Sequence, residues 1–377
     1  MLKIGIDISP LASSSRTGVG EYTYELLHAL FDIDSENQYF LFYNGFKDVS
    51  ACIPKWNQKN VHGVCTRWPN KLFHASLQFL RWPKMDRIIE QKAGGTLDYF
   101  FSPNIGFHSV SKKCKHILTV HDLSFEIFPE CFSLKRRLWH ILLSPKKPCQ
   151  KANRIIVPSE NTKQDIVDMY GISPEKIKVI YSGLSSIFFE KSLPHNAFDV
   201  KNKYNLPSKY ILFLGTVEPR KNIEGLIDAF HVFQQEFPEY HLVIAGANGW
   251  KNKRIFAAIE KNTNVQYIGY VAEEDKPALY AGAKIFVYPS LYEGFGFPIL
   301  EAFASGVPVI TSARSSLPEI AGNAAYYINP NNSFEIVEGM RRFVTDPELS
   351  TFFRQKGFEQ IKKFYWKKTA EQFLASL

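Results

Sequence analysis

The sequence is poor in the features that mark whole classes of protein. Its five cysteines, Cys52, Cys65, Cys114, Cys131 and Cys149, are odd in number, widely spaced and form no C-x-x-C pair. That excludes a disulfide-stapled fold and points to a reducing compartment. No run of about 18 apolar residues occurs, so no spanning helix is expected. The opening Met1-Leu2-Lys3-Ile4-Gly5-Ile6-Asp7 reads as a strand and lacks the apolar core of a signal peptide, so a cytoplasmic location is expected. Neither H-x-E nor a cluster of His and Cys appears, and no essential metal or other cofactor is expected. The G-x-G-x-x-G fingerprint with its downstream acid is missing, which argues against a dehydrogenase. Short repeats and low-complexity tracts are absent, which excludes solenoids.

What is present is globular. A chain of 377 residues with 45% hydrophobic residues is long enough for two α/β cores of similar size. Short apolar runs alternate with helical stretches, which predicts parallel sheets with crossover helices. In the first half the expected strands are Ile4–Ile8, Tyr39–Tyr43, Asp98–Phe101, Ile117–Val120, Ile155–Val157 and Val179–Tyr181. A polar stretch from Ser185 to Ser208, with Pro194 and Pro207, reads as the junction. The pattern restarts at Ile211–Gly215, followed by a helix with Ile223, Leu226, Ile227, Phe230 and Phe233 on one face. Strands are then expected at Leu242–Ala245, Val265–Ile268, Ile285–Tyr288 and Val307–Ile310. This gives an N-terminal domain over 1–190 and a C-terminal domain over 206–363. In doubly wound sheets ligands gather at the carboxyl ends of strands, so loops there carry the chemistry.

Four strings occupy such loops. Tyr288-Pro289-Ser290-Leu291-Tyr292-Glu293-Gly294-Phe295-Gly296-Phe297-Pro298-Ile299-Leu300-Glu301-Ala302 places two carboxylates around a glycine turn that leads into a helix. The helix start is suited to a diphosphate, and a carboxylate nearby to ribose or sugar hydroxyls. Taken singly, Glu301 more often only offsets the helix dipole and Glu293 is more often a solvated turn residue. Leu214-Gly215-Thr216-Val217-Glu218-Pro219-Arg220-Lys221-Asn222 sets two adjacent cations after a strand, where they can neutralise a diphosphate leaving group; a solvated surface pair is the plainer reading. Thr119-Val120-His121-Asp122-Leu123 ends a strand with a His-Asp pair that could simply cap a turn. Thr17-Gly18-Val19-Gly20 is a glycine loop before the first helix.

The first two strings resemble the E-x7-E and G-T-x-E-P-R-K-N motifs of the family-4 retaining glycosyltransferases. Ala304-Ser305-Gly306-Val307-Pro308-Val309-Ile310 is another stretch typical of that group. The resemblance implies a GT-B fold, two Rossmann-like doubly wound domains facing each other across a cleft. It implies that Arg220 and Lys221 stabilise the departing diphosphate, that Glu293 orients sugar hydroxyls and that Glu301 binds ribose. Gly294, Phe295 and Gly296 would line the donor. His121, with Asp122 beside it, would face the transferred sugar, and Gly18 and Gly20 would close on the diphosphate. Ser315-Ser316-Leu317-Pro318-Glu319 would cap a helix beside the site, Gly246 and Tyr270-Val271 would lie near the nucleobase, and a terminal helix from Phe364 would cross back to the N-terminal domain. H-D-L together with this phosphate motif is similar to bacterial mannosyl- and rhamnosyltransferases of surface-polysaccharide assembly. GDP-mannose is the leading donor, with UDP-glucose, UDP-N-acetylhexosamines and dTDP-rhamnose open.

Asp32-Ile33-Asp34 matches the D-x-D metal motif in form, but sits in a polar loop where turn chemistry explains it. The net charge of +8, concentrated between Arg67 and Lys151, favours polyanionic neighbours. Two basic, aromatic segments, Lys71–Trp82 and Lys135–Leu143, read either as ordinary amphipathic core helices or as a peripheral dock on an anionic membrane carrying a lipid-linked saccharide. No nucleic-acid motif accompanies the basic residues, which leaves a nucleic-acid-binding protein as a minor alternative. A nucleotide-sugar epimerase on the same fold is the main one; it needs no acceptor.

Overall fold

A computed structural model describes residues 1–12, 17–189 and 197–377. The chain divides into two compact units. Unit 1 comprises Met1–Leu123, Leu138–Gly183 and Trp366–Leu377; unit 2 comprises Ser124–Arg137 and Leu184–Tyr365.

Unit 1 is built on seven parallel strands: β1 (Lys3–Asp7), β2 (Gln38–Asn44), β3 (Val61–Thr66), β4 (Tyr99–Ser102), β5 (Lys115–Thr119), β6 (Arg154–Val157) and β7 (Ile177–Val179). Their order across the sheet is β3-β2-β1-β4-β5-β6-β7. Unit 2 holds β8 (Tyr210–Leu214), β9 (His241–Ala245), β10 (Val265–Gly269), β11 (Ile285–Tyr288), β12 (Val309–Ser312) and β13 (Ala325–Ile328), in the order β10-β9-β8-β11-β12-β13. Both sheets reverse their winding once, between β1 and β4 and between β8 and β11. Such reversals open a crevice at the strands' carboxyl ends.

Central strands are buried on both faces, as parallel sheets require, and so read as unbroken apolar runs: every residue of β8 and β11 is buried. The helix Ile223–Phe233 buries the face formed by Ile223, Leu226, Ile227, Phe230 and Phe233. Each such side chain contributes about 1.5–3 kcal/mol on leaving water.

Two strands, β3 and β13, have no counterpart in the expected set. Both are edge strands: β3 buries only Val64 and carries no apolar run, whereas β13 is the short apolar run Ala325-Tyr326-Tyr327-Ile328. The strand expected at Val307–Ile310 lies two residues later. The Val307 N–H is taken by the Ala302 carbonyl at 3.0 Å, which extends the preceding helix's hold on the chain. The expected ranges 1–190 and 206–363 also need correction, since Ser124–Arg137 groups with unit 2 and unit 1 gives way to it at Leu184. Leu184 donates to the Phe364 carbonyl at 3.2 Å, within unit 2. Of the junction stretch, Ser186–Phe188 is a 3-10 turn and Ala197–Lys203 a helix, while Pro194 lies outside the described residues. The terminal helix Trp366–Leu374 packs on the helix Gly18–Ile33 of unit 1, with the Tyr22 and Trp366 rings 5.8 Å apart.

Candidate functional site

In unit 2 the two charged strings leave the two strands that flank the winding reversal, β8 and β11. Their approach depends on Gly246. Its φ of +133° suits only glycine, and a Cβ there would stand 2.0 Å from the Gly215 carbonyl oxygen. The close passage of β9's exit against β8's therefore requires glycine at 246. Beyond Gly215 the chain makes a 3-10 turn at Pro219–Lys221. Asn222 fixes the turn's end by donating to the Pro330 carbonyl at 2.6 Å, and Leu291 N–H donates to the Arg220 carbonyl at 2.9 Å, joining the two loops.

The side chains then meet in one buried cluster. Lys221 Nζ lies 2.6 Å from Glu293 Oε1 and donates to the Tyr288 hydroxyl at 2.7 Å; that hydroxyl donates to Glu293 Oε1 at 3.0 Å. Arg220 bridges two carboxylates, Glu293 Oε2 at 3.0 Å and Glu218 Oε1 at 2.6 Å. Burial by itself would raise the Glu293 carboxyl, but Arg220 and Lys221 overcome it and hold it at about 2. Burial, and then Arg220, pulls Lys221 below an ordinary lysine. The cluster is charge-balanced, two cations against two carboxylates. Nothing in the sequence singles out Glu218 or Tyr288; the geometry ties both to the two cations.

Glu293 is followed by the glycine turn. The backbone is pinned by two serines: Ser315 Oγ accepts from Glu293 N–H at 2.9 Å, and Ser316 Oγ donates to the Glu293 and Phe295 carbonyls at 2.9 and 2.8 Å. The expectation that this serine pair caps a helix therefore needs correction, because the helix Leu317–Ala321 has no side-chain cap. Phe295 is buried, its ring 5.0 Å from Phe297 and 5.9 Å from Phe364, so it offers the site backbone rather than side chain. Gly294 links Glu293 to it. Gly296, at φ +120°, starts the helix Phe297–Ala304 with no side-chain cap. Glu301 lies in that helix, buried. Its Oε2 accepts from the Tyr280 hydroxyl at 2.7 Å, and Lys276 stands 3.7 Å from Oε1. Burial is the dominant influence and raises the Glu301 carboxyl above its usual range. Tyr280 and Lys276 carry no mark in the sequence that separates them from any helix residue.

Unit 1 holds the remaining candidates. Gly18 and Gly20 are in the first turn of the helix Gly18–Ile33, not in a loop ahead of it. Thr17 caps the helix, accepting from Gly20 N–H at 3.3 Å. A Cβ on Gly18 would meet nothing within 4 Å, so packing within the chain does not demand glycine there. His121 follows β5. Its Nε2 lies 2.9 Å from the Pro103 carbonyl, which can only accept, so Nε2 carries the proton. The ring meets Tyr22 edge-on at 4.7 Å. Burial pushes the imidazole below its ordinary range, so at neutral pH it is uncharged with a lone pair on Nδ1. Asp122 is half-buried beside it. Of the D-x-D string, Asp32 and Ile33 end the helix Gly18–Ile33 rather than lying in a loop; Asp34, the helix C-cap, accepts from the Glu36 and Asn37 backbone and from Tyr39, which is turn chemistry. Among the described residues no group of three or more His, Cys, Asp or Glu side chains is placed to hold a metal, and no helix is long and apolar enough to cross a membrane.

Comparison with known proteins agrees with this geometry. The profile for glycosyl transferases group 1 matches residues 196–360, and that for glycosyltransferase family 4 matches residues 16–186. The chain is 34% identical over 373 residues to O-antigen chain mannosyltransferase B of Escherichia coli, covering 94% of each. The chain belongs to the group 1 glycosyltransferases. A second member of this kind, O-antigen chain mannosyltransferase RfbU of Salmonella typhimurium, is 30% identical over 229 residues, 60% of each chain. Among solved structures, sucrose-phosphate synthase from Thermosynechococcus elongatus superposes with a TM-score of 0.75 at 18% identity, over 99% of this chain and 97% of that one. This glycosyltransferase therefore has the GT-B fold of paired Rossmann-like domains.

Proposed function

We propose that the chain transfers mannose from GDP-mannose to a saccharide or lipid-linked saccharide acceptor during surface-polysaccharide assembly, with retention at the anomeric carbon and no essential metal. The observation that carries this reading is the buried cluster of Arg220, Lys221 and Glu293 at the winding reversal of unit 2, in a chain whose relatives are named O-antigen mannosyltransferases. Arg220 and Lys221 stabilise charge on the leaving diphosphate, as a metal does elsewhere. Glu293 orients sugar hydroxyls, and Glu301 accepts from the ribose. The uncharged His121 accepts from a saccharide hydroxyl through Nδ1. No protein nucleophile is assigned: the acceptor oxygen bonds to the anomeric carbon as the carbon–oxygen bond to the diphosphate breaks, on the same face. The acceptor's proton passes to a diphosphate oxygen. The products are GDP and the mannosylated acceptor.

The test is thermal stabilisation across a panel of nucleotide sugars, with excess chelator and with Glu301→Ala. A donor bound only to the folded state raises the melting point by mass action. Protection by GDP-mannose that survives chelation and fails on the variant supports the reading. Protection by none of the panel, with or without acceptor, refutes it. Product analysis separates transfer from epimerisation.

The chain is proposed to work at the inner face of the cytoplasmic membrane. Phe79, Leu80, Trp82, Ile141 and Leu142 are exposed apolar residues of unit 1. Arg136 is not part of this patch: it belongs to unit 2, where its guanidinium lies 3.8 Å from the Trp250 ring. Weaker binding of Phe79→Ser/Leu142→Ser to anionic vesicles supports the contact, and unchanged binding counts against it.

A further inference from the structure

Unit 1 contains a cavity of about 530 Å³ that the donor site does not use. Its walls come from the segment around Leu77–Lys84, the loop Gly106–Lys112 after β4 and the stretch Leu143–Lys151. Arg81, Lys84, Lys147 and Lys151 converge on it. Burial lowers Lys151 below an ordinary lysine, and Arg81, Lys147 and Lys84 lower it further, so the four stand within electrostatic reach of one another. Among the described residues none of the four is ion-paired to a carboxylate. Lys84 donates to the Ser109 hydroxyl at 3.1 Å. Of the nearby acids, Asp7 is 2.9 Å from His108 Nε2, and Asp86 Oδ1 accepts from Ser111 N–H at 2.9 Å while its Oδ2 is buried without a partner. His108 also walls the cavity, its side chain only 6% exposed, and its Nδ1 is buried without a partner. Like charges gathered around a void repel one another; an anion in it reverses the sign of that energy.

Exposed apolar residues flank these walls along the chain: Phe79, Leu80 and Trp82 beside Gln78 and Arg81, and Ile141 and Leu142 beside Leu143; Phe79 is 73% and Ile141 71% exposed. Gln78 Nε2 donates to the Leu142 carbonyl and joins the two segments. A free phosphate has no use for such flanking residues, whereas a lipid places its charged group and its hydrocarbon side by side.

We propose that this cavity seats the diphosphate group of a lipid-linked diphosphate, in preference to a phosphodiester headgroup, with the lipid's hydrocarbon lying over the flanking apolar residues. In this role it anchors the charged end of a lipid-linked acceptor, and to that extent it rests on the acceptor class proposed above.

The experiment compares the whole protein's binding to neutral phosphatidylcholine vesicles, to vesicles containing a polyprenyl diphosphate, and to vesicles of equal charge containing phosphatidylglycerol. The expected result is at least about tenfold tighter binding to the diphosphate lipid, lost in Lys147→Gln/Lys151→Gln and competed by inorganic pyrophosphate. Phe79→Ser/Leu142→Ser should weaken vesicle binding while leaving pyrophosphate binding by calorimetry intact. Equal binding to phosphatidylglycerol, or a double-lysine variant that keeps the preference, overturns the proposal. So does pyrophosphate binding without any lipid preference, which would make this a site for a free phosphate, and so does displacement by nucleic acid but not by pyrophosphate. GDP-mannose stabilisation is read on the same variants: if it persists while the lipid preference is absent, this inference falls and the transferase reading stands.

Discussion

Replacing Glu293 by glutamine keeps the shape of the cluster and removes one of its two negative charges. In the structure Glu293 Oε1 serves Lys221 and Tyr288 while Oε2 serves Arg220, all in a buried setting. Breaking one member out of a buried ion network costs about 3–5 kcal/mol, because the partners stay behind uncompensated. Lys221, already pulled below an ordinary lysine, can shed its proton, which sets the cost near the lower figure of about 3 kcal/mol. For a domain of this class that is a fall of about 6–12 °C in the melting point of unit 2. The pH dependence is equally specific. Glu293 is held at about 2, below the ordinary 4.5, so its contribution is complete above the ordinary value and is lost as pH falls through the lowered one. The parent and variant curves should therefore converge between pH 4.5 and about 2. GDP should restore part of the loss, since the diphosphate returns an anion to the cations; at a hundredfold excess over Kd the gain is about 2.7 kcal/mol. Calorimetric melting of both proteins from pH 7 to pH 3, with and without GDP, measures all three effects. A loss below about 1 kcal/mol, or a gap that stays constant as the pH falls, would refute the reasoning.

Glu301→Gln should act in the opposite direction on stability. A carboxyl raised by burial stabilises the fold below its unfolded value and loses that contribution as pH rises through the folded one. Removing the charge should thus leave the melting point at pH 7 unchanged or higher, while weakening donor binding about tenfold or more through loss of an ionic acceptor. A lower melting point with unchanged donor Kd would count against this. His121→Asn should lower kcat about 30-fold with little change in donor Kd, the worth of one hydrogen bond of about 2 kcal/mol in the transition state. The parent's activity should decline only below pH 6.5, where an imidazole lowered by burial takes up its proton; a decline centred above 6.5 contradicts the assignment. Trp250→Ala should release the segment Ser124–Arg137, which Trp250 holds through Nε1 on the Cys131 carbonyl at 2.9 Å, the Phe132 ring at 5.6 Å and Arg136. The cost is about 2 kcal/mol, read as faster amide exchange confined to that segment. Glu218→Gln leaves the cations in excess, and should tighten GDP binding about tenfold while lowering kcat; weaker GDP binding would sink this idea.

The doubly wound architecture was legible because buried parallel strands must be apolar throughout: Ile211-Leu212-Phe213-Leu214 admits few other readings. An edge strand can escape that constraint, which is why Val61–Thr66 left no signal; Ala325–Ile328 is apolar throughout and legible, yet is missing from the expected strands. Arg220, Lys221, Glu293 and Glu301 stood out because each follows a strand and a turn in a string similar to a known motif. Their partners did not. Tyr280 and Lys276 lie on a helix, the 3-10 turn and helix from Glu273 to Gly282, with no local pattern tying them to Glu301. The contact between Trp250 and Cys131 spans 119 residues and reflects how Ser124–Arg137 packs, which no short-range rule encodes. Gly246, read from the family as a nucleobase neighbour, is also required to be glycine by the Gly215 carbonyl, a contact between two strand exits.

The internal balance of the cluster bears on how such a site turns over. Two unopposed cations would hold a diphosphate strongly both in the donor and in the released nucleotide, and binding both equally adds nothing to the rate of the chemical step. Here Glu218 and Glu293 already satisfy Arg220 and Lys221, so a ground-state diphosphate must compete with carboxylates that are covalently tethered and well placed. The competition shifts as the glycosyl bond breaks. Negative charge then concentrates on the leaving oxygen, and in a buried setting its attraction to a cation grows steeply as the effective dielectric falls. If the two cations hold the leaving diphosphate as proposed, an arrangement that is neutral beforehand would favour the transition state over either nucleotide complex, and after transfer the two glutamates would reclaim the cations and help the product leave.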